Sequence, residues 1–379
     1  MSLLHRHIFL AVLGACAAAV GLFAFILVVG NALKDLMPFV MGGQLSPGTF
    51  LKLVGLLAQI VAAYALPMGV LTGVLLVLGR MSAQNEITAM RAAGLSLTYI
   101  AQPVFFLGLF GALFCGFINF YSMPKSKTAY KRILAEAVQK NPLSFIVPKT
   151  FIRDFRGVVL FVGKKEDSLL QDVWIWELDE QNRVVRSGRA GSGKVSFDDA
   201  EGRLVLTLSQ VSFEIRDKDN PEDFTKPVQP GTSEEFTIEL RMEQLFGKQT
   251  VRQKPSWMTL DELFTQQQKL ALPDSTVDPE KRALERMAIS FAINEKATTA
   301  VVVFAFALLA VPLGIKVSRK ETSANLGVAL LLVMSYYFLT VCIEWLDKTP
   351  ALRPDILIWI PVTFFLTLGV VMFRRLGRV

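Results

Sequence analysis

Apolar positions along this chain follow two patterns. In the first they run on without interruption, over Ile8–Val29, Leu53–Leu78, Tyr99–Phe120, Ala297–Ile315, Leu326–Ile343 and Ile356–Phe373. Each run is close to the roughly 20 residues a helix needs to cross a bilayer, and the last two, though shortest, hold no charge. In the second pattern, between the third and fourth of these runs, apolar residues come in short or alternating stretches: Val158–Val162, Val173–Leu178, Lys194–Phe197, Leu204–Leu208, Val211–Ile215 and Phe236–Leu240. Turn clusters separate them, at Glu180-Gln181-Asn182, Asp198–Gly202 and Asp217–Pro221. Strands at this spacing predict a sandwich or jelly roll. Two helices frame it: one over Lys125–Gln139 that stops near Asn141-Pro142, and one opened by the capping box Thr259-Leu-Asp-Glu262 that ends before Pro273. A charged helix over Pro279–Glu295 feeds the fourth span.

The fold class expected is a polytopic α-helical membrane protein with six transmembrane helices and an inserted all-β, jelly-roll-like periplasmic domain. Residues 1–124 hold spans one to three, with a cytoplasmic helix near 80–95. Residues 125–285 form the β-domain with its flanking helices, and 286–379 hold spans four to six.

Composition agrees: of 379 residues 52% are hydrophobic and 19% charged, against roughly 25% charged in an average globular chain. The net charge of +7 belongs to the membrane part, because residues 125–285 carry 25 Lys and Arg against 26 Asp and Glu. That distribution gives no footprint for nucleic-acid binding. Arg6, Arg80, Arg91, Lys316, Arg319, Lys320, Arg374, Arg375 and Arg378 flank one side of the spans, and Lys34, Lys52, Lys348 and Arg353 the other. The richer side, with both termini, is expected in the cytoplasm. The β-domain then lies outside, in the periplasm of a cell with two membranes. Cys16, Cys115 and Cys342 all sit in apolar runs and give no disulfide framework. Leu13-Gly14-Ala15-Cys16 imitates a lipoprotein cleavage box, but the apolar run continues to Val29, so Cys16 reads as a small buried residue of an uncleaved helix.

Catalytic chemistry finds little to work with. Both histidines, His5 and His7, precede the first span, so no His-based triad or His-rich metal site can be assembled. Gly188-Arg-Ala-Gly-Ser-Gly193-Lys194 follows most of a phosphate-binding loop, but Val195 stands where a magnesium-ligating Ser or Thr belongs. A β run follows it instead of a helix, and a flexible hairpin loop is the better account. No catalytic residue, metal or cofactor is therefore expected, and ATP hydrolysis would require another chain. Gln59, Gln102 and Asn119 lie within or near apolar runs, with Glu344 and Asp347 at one end of span five. No Asp, Glu or Lys is expected buried near the middle of a span, which disfavours an ion-coupled carrier.

The loop between spans two and three is the most informative short segment. Over Gly79–Gly94 it forms a short amphipathic helix with Ile87, Met90 and Ala93 on one face and Gly94 as its stop. Such a helix docks into a cytoplasmic partner or rests on the membrane surface; periodicity does not choose.

The segment Asn85-Glu-Ile-Thr-Ala-Met-Arg-Ala-Ala-Gly94 resembles the coupling helix of the lipopolysaccharide-export permeases, the paired membrane subunits of an ABC transporter. Leu134-Ala-Glu-Ala137 with Asn141-Pro142, Val311-Pro312-Leu313-Gly314, Tyr336-Tyr337 and Pro354 before Trp359 are similar too, so the resemblance covers the whole chain. It implies a permease, not an enzyme, that takes lipopolysaccharide or a related glycolipid from the outer leaflet of the inner membrane. Its partners would be a paralogous permease, a cytoplasmic ABC ATPase dimer and a periplasmic bridge protein. Glu86 matches the carboxylate that contacts the ATPase, with Ile87 and Met90 as apolar contacts and Arg91 at a variable position. Lys34 matches a basic position facing lipid phosphates; the plain alternative is a snorkelling anchor. For acyl chains in the β-domain the candidates are Phe161, Trp174, Trp176, Phe197 and Phe213, although most such residues serve a core. Trp174 and Trp176 share one strand face and Ile175 takes the other. A membrane-anchored assembly or scaffold protein would share this topology without transport.

Overall fold

The computed structural model describes the chain except for residues 1–2, 42–44, 141–145, 154, 156, 167, 180, 199–202, 217–228, 242–253, 272–278, 317–321, 347–351 and 378–379. The expected turns at 199–202 and 217–221, the break at Asn141-Pro142 and the loop residues Arg319, Lys320, Asp347, Lys348 and Arg378 lie outside the described residues. The chain divides into two compact units, one of Met1–Asn31, Val54–Ala129 and Gln253–Val379, the other of Ala32–Leu53 and Tyr130–Arg252.

The helical elements are α1 (Leu3–Asp35), α2 (Met37–Met41), α3 (Pro47–Ala83), α4 (Glu86–Ala92), α5 (Leu97–Phe117) and α6 (Met123–Lys140) before the sheet. After it come α7 (Leu260–Ala271), α8 (Pro279–Lys316), α9 (Thr322–Glu344), α10 (Pro354–Leu357) and α11 (Trp359–Gly377). Six stretches are long and apolar enough to cross a membrane: Leu3–Asp35, Pro47–Ala83, Leu97–Leu134, Arg282–Ile315, Gly327–Glu344 and Pro354–Gly377. The third includes a π-helical turn, Ile118–Ser122, just ahead of Pro124. As expected, the charged stretch from Pro279 is one helix with span four.

Lipid is as apolar as leucine, so hydrophobicity cannot tell these helices which faces should meet; close backbone approach can. Gly69 and Gly73, four apart on α3, take α1 against them. A Cβ on Gly73 would lie 2.5 Å from the Cys16 backbone nitrogen, and one on Gly69 would lie 2.6 Å from that of Val20. Cys16 is thus a packing residue, its Sγ directed at the Val70 carbonyl. Gly108 of α5 meets Ala307 of α8 in the same way, and Gly314 of α8 meets Leu78 of α3. Phe306, Tyr336 and Phe365 then interlock edge to face, with ring centroids 5.5 to 6.1 Å apart.

Two charged residues lie at the head of the fourth apolar run: Glu295 and Lys296 sit inside the continuous helix Pro279–Lys316, just before Ala297. Lys296 is 4% exposed, and its Nζ donates to the Met258 carbonyl at 2.5 Å, fastening the short turn Pro255–Trp257 and α7 to α8. Glu295 lies within Coulombic range of Lys127 and Glu344. The sequence ends the charged helix at Glu295 and begins the span at Ala297, and does not show that Lys296 between them is buried by a distant segment.

The second unit is built on one antiparallel sheet with its strands in chain order: β1 (Phe151–Ile152), β2 (Val158–Glu166), β3 (Leu169–Leu178), β4 (Val184–Asp198), β5 (Arg203–Ile215) and β6 (Gln229–Arg241). Among the described residues this is a meander of six strands in one sheet. Its core joins Leu160, Val162, Val173, Leu170, Leu206 and Leu208 with Ile146 and Phe155, and Phe39, from the segment between spans one and two, packs on it.

A crease crosses this sheet. Buried side chains recur every second residue on either side of it, but three residues apart where they cross it, as from Leu170 to Val173 and from Leu208 to Val211. The pairing registers run straight through, yet skip Gly163, Asp172, Gly191, Gln210 and Glu234 in one row. Asp172 and Gln210 have φ of 54° and 53°, the left-handed region that costs an ordinary residue about 1 kcal/mol or more. Each strand therefore takes an extra residue at the same row and keeps its apolar side chains on one side. The two runs expected at Leu204–Leu208 and Val211–Ile215 are accordingly one strand, β5, its alternation shifted by Gln210.

The glycine-rich segment Gly188–Gly193 is corrected as well. It is neither a phosphate loop nor a hairpin loop but part of the central strand β4. Its glycines make room for neighbours: a Cβ on Gly188 would lie 2.9 Å from the Phe213 ring, and one on Gly193 would lie 2.5 Å from Leu208 Cδ2.

Candidate functional site

Two places collect the residues singled out from the sequence. The first is α4, seven residues long, entered through Asn85 in the left-handed conformation. It ends in a Schellman motif: Gly94 has φ of 88°, its N–H donates to the Arg91 carbonyl, and that of Leu95 donates to the Met90 carbonyl. Gly94 is the expected stop, for the expected reason. The helix is held from beneath. Ile87 is 2% exposed in the core of its own unit, and Met90 and Leu95 pack against that core. Just before α4, the Ser82 hydroxyl donates to the Ile315 carbonyl at 2.8 Å, where Gly314 lets α8 approach α3.

This geometry divides the four coupling candidates. Ile87 and Met90 fix the helix to its own chain, and Ile87 has no surface left for a partner. Glu86 is exposed at the helix start and Arg91 is half-exposed in its last turn. The amphipathic pattern placed Ile87 and Met90 on the anchored face, but Ala93 is exposed at the C-cap, and periodicity did not say what the face would meet, since a docking face and an anchoring face share one periodicity.

The second place is the sheet, and here the structure separates residues that the sequence grouped. Phe197 and Phe213 pack on the buried core. Phe213 meets Phe236 edge to face at 4.7 Å, with the Arg186 guanidinium over both rings and ion-paired to Glu177. Phe161 and Trp174 alternate with the buried Leu160, Val162, Val173 and Ile175 and so lie on the opposite face. There Trp174 and Trp176 stack at 6.1 Å with an interplanar angle of 13°, and Phe151 lies 5.0 Å from Phe161 and 5.8 Å from Trp176. The predicted sharing of a face by Trp174 and Trp176 is what the strand shows.

Polar groups edge this aromatic face. Asp172, turned by the crease, accepts from the Trp174 indole N–H at 3.2 Å and from Arg189, whose guanidinium covers the Trp174 ring at 4.6 Å. At the far end of the β3–β4 hairpin, Asp179 accepts from the Arg183 and Gln181 backbone N–H groups and from the Arg183 side chain. These bonds, led by that of the Arg183 N–H, hold its carboxyl below the usual carboxylate range. Lys34, the remaining candidate, is exposed in the last turn of α1. No group of metal-ligating side chains occurs among the described residues.

Comparison with known proteins bears on both places together. The family model described as "Lipopolysaccharide export system permease LptF/LptG" matches residues 6–375. The chain is 23% identical over 340 residues to the lipopolysaccharide export system permease protein LptF of Escherichia coli (strain K12), covering 87% of this chain and 83% of that protein, with the same figures for LptF of Shigella flexneri. It is 26% identical over 153 residues to the protein LptG of Haemophilus influenzae, covering 40% of this chain and 42% of that one. Since the match takes in α4, the sheet and all six apolar spans, the chain belongs to the LptF/LptG family of lipopolysaccharide export system permeases.

Proposed function

We propose that this chain is a permease subunit that moves lipopolysaccharide, or a related glycolipid, out of the inner membrane toward the outer membrane. The observation that carries the proposal is the family match from end to end. The chain works beside a paralogous permease, with both termini and α4 in the cytoplasm and the sheet in the periplasm. The sheet forms part of a jelly roll that receives the lipid and passes it to a periplasmic bridge. A separate ATPase dimer supplies the energy through α4. Glu86 and Arg91 make the contact, while Ile87 and Met90 transmit its displacement into the spans, because a lever must be fixed at one end to move the other. Lys34 meets lipid phosphate at headgroup level, worth about 1 kcal/mol near an anionic surface.

The test is photocrosslinking in membranes that contain the assembled complex, with probes at Phe197 and Phe213 on one sheet face and at Phe161 and Trp174 on the other. A lipopolysaccharide adduct at Phe213 that requires ATP is the expected result. Glu86→Arg should reduce that adduct by about tenfold or more, a loss of about 1.4 kcal/mol of coupling. An active complex with no adduct on either face would make the sheet a docking platform instead.

A further inference from the structure

Among the described residues, packing does not account for the aromatic face of the sheet. The core occupies the other face, yet Phe151, 54% exposed, and the half-buried Trp174 and Trp176 gather here. Beside them opens a cleft of about 560 Å³ whose lining includes Phe151, Arg153, Phe155, Val158, Trp176 and Asn182. Arg153 stands 5.8 Å from the centroid of the Phe151 ring at the cleft, and Arg189 covers Trp174 a few residues along.

We infer that this face is a saccharide site, taking the phosphorylated sugar portion of the glycolipid while its acyl chains are held elsewhere; the inference rests on the export reading above. Three features choose a sugar over an acyl chain. The exposed Phe151 ring and the half-buried Trp176 at the cleft offer aromatic surface to the C–H face of a pyranose, and aromatic rings with guanidinium groups beside them are amphipathic in the way a sugar is. The Asp172 carboxylate and the Asn182 amide provide acceptors and donors for hydroxyl groups, which a hydrocarbon chain would leave unpaired. Arg153 supplies the positive charge that a phosphate or sugar carboxylate requires, with fork geometry suited to either, whereas Arg189 is engaged by Asp172. The other face is taken up by packed Leu, Val and Ile with Phe at its margin.

The crease contributes to the site. The left-handed turn at Asp172 brings its carboxylate to both the Trp174 indole and Arg189, which fixes the Trp174 ring on which Trp176 stacks at the edge of the cleft.

The experiment is calorimetric titration of the full-length chain in nanodiscs with deacylated, phosphorylated lipopolysaccharide saccharide. Saturable binding is expected, weakened at least fivefold by Trp176→Ala and by Arg153→Ala, and weakened by enzymatic removal of phosphate from the ligand. Arg153 is exposed, so its variant keeps the test valid should Trp176→Ala disturb the sheet. No binding by the unaltered chain, equal binding by the Arg153→Ala variant, or displacement of the saccharide by a water-soluble fatty acid would overturn the site. An ATP-dependent lipid adduct at Phe213 without saccharide binding removes only this inference. Saccharide binding without any adduct keeps the site and removes the export path through the sheet.

Discussion

The membrane bundle and the β-sheet solve the same packing problem with opposite information. In the sheet, alternation of apolar and polar residues states which side faces the core, and the buried Leu160, Val162, Val173 and Ile175 obey it. In the bundle almost every position is apolar. Phe106, Phe110 and Leu113 of α5 are more than 60% exposed, while equally apolar residues of α3 and α8 are fully buried. What marks the inside there is smallness: Gly69, Gly73, Gly108 and Gly314 are where backbones meet. One region is specified by polarity, the other by volume.

That contrast can be broken most sharply at Gly73. Leucine there is the residue hydropathy would choose, yet its Cβ would fall 2.5 to 2.7 Å from Cys16 atoms, so Gly73→Leu should cost about 3 kcal/mol or more. Gly14 has nothing within 4 Å of its Cβ position, and Gly14→Leu should leave stability unchanged within about 0.5 kcal/mol. Thermal unfolding in detergent, followed by size-exclusion profile, compares the pair. Equal losses would mean that volume does not specify the bundle.

A smaller effect is expected in the sheet, at a position where strand propensity and packing disagree. Valine is favoured in strands, but at Gly193 its Cβ would meet Leu208 Cδ2 at 2.5 Å and the Thr207 carbonyl at 3.1 Å. Gly193→Val should cost about 1 to 3 kcal/mol. Combining it with Leu208→Ala should cost less than the two single changes together, since they share one contact; a double-mutant cycle in urea measures the difference.

The smallest effect lies at the surface. The Asp179 carboxyl is held below its ordinary value by hydrogen bonds that favour the ionised form. Its contribution is therefore complete above the unfolded carboxylate value of about 4 and is lost as the pH falls through the folded value. Asp179→Asn should flatten the acid limb of the stability profile, with its small loss appearing at neutral pH, where the carboxylate contributes in full, and vanishing at low pH. A variant whose acid limb matches that of the unaltered chain would show that the carboxylate of Asp179 is not what the hairpin relies on.

What the sequence made legible follows the same division. Six spans, the Gly94 stop and the shared face of Trp174 and Trp176 all come from periodicity and local backbone chemistry, which a sequence records directly. The Thr259–Glu262 box is present in part, with Glu262 accepting from the Thr259 N–H at 2.8 Å. Misreadings arose where a residue's role depends on what a distant segment brings near it. Ile87 was given to a partner because a helix face does not say who covers it. The glycines of β4 resembled a loop because their neighbours, Phe213 and Leu208, are more than ten residues away. Phe161 and Trp174 were grouped with Phe197 and Phe213 because nothing but strand register separates the two faces. The three-residue step in β5 is visible in the sequence as a broken alternation, which divides one strand into two runs, Leu204–Leu208 and Val211–Ile215.

The row through Gly163, Asp172, Gly191, Gln210 and Glu234 has a mechanical consequence. A sheet resists bending through its paired rungs, and a line of skipped rungs that spans five strands is where its stiffness is least. The sheet is then two stiff panels joined along a compliant line, and a load applied at one panel rotates it as a plate while the ladders on either side stay intact. Because the five strands β2–β6 yield at the same row, such flexing leaves their register unchanged.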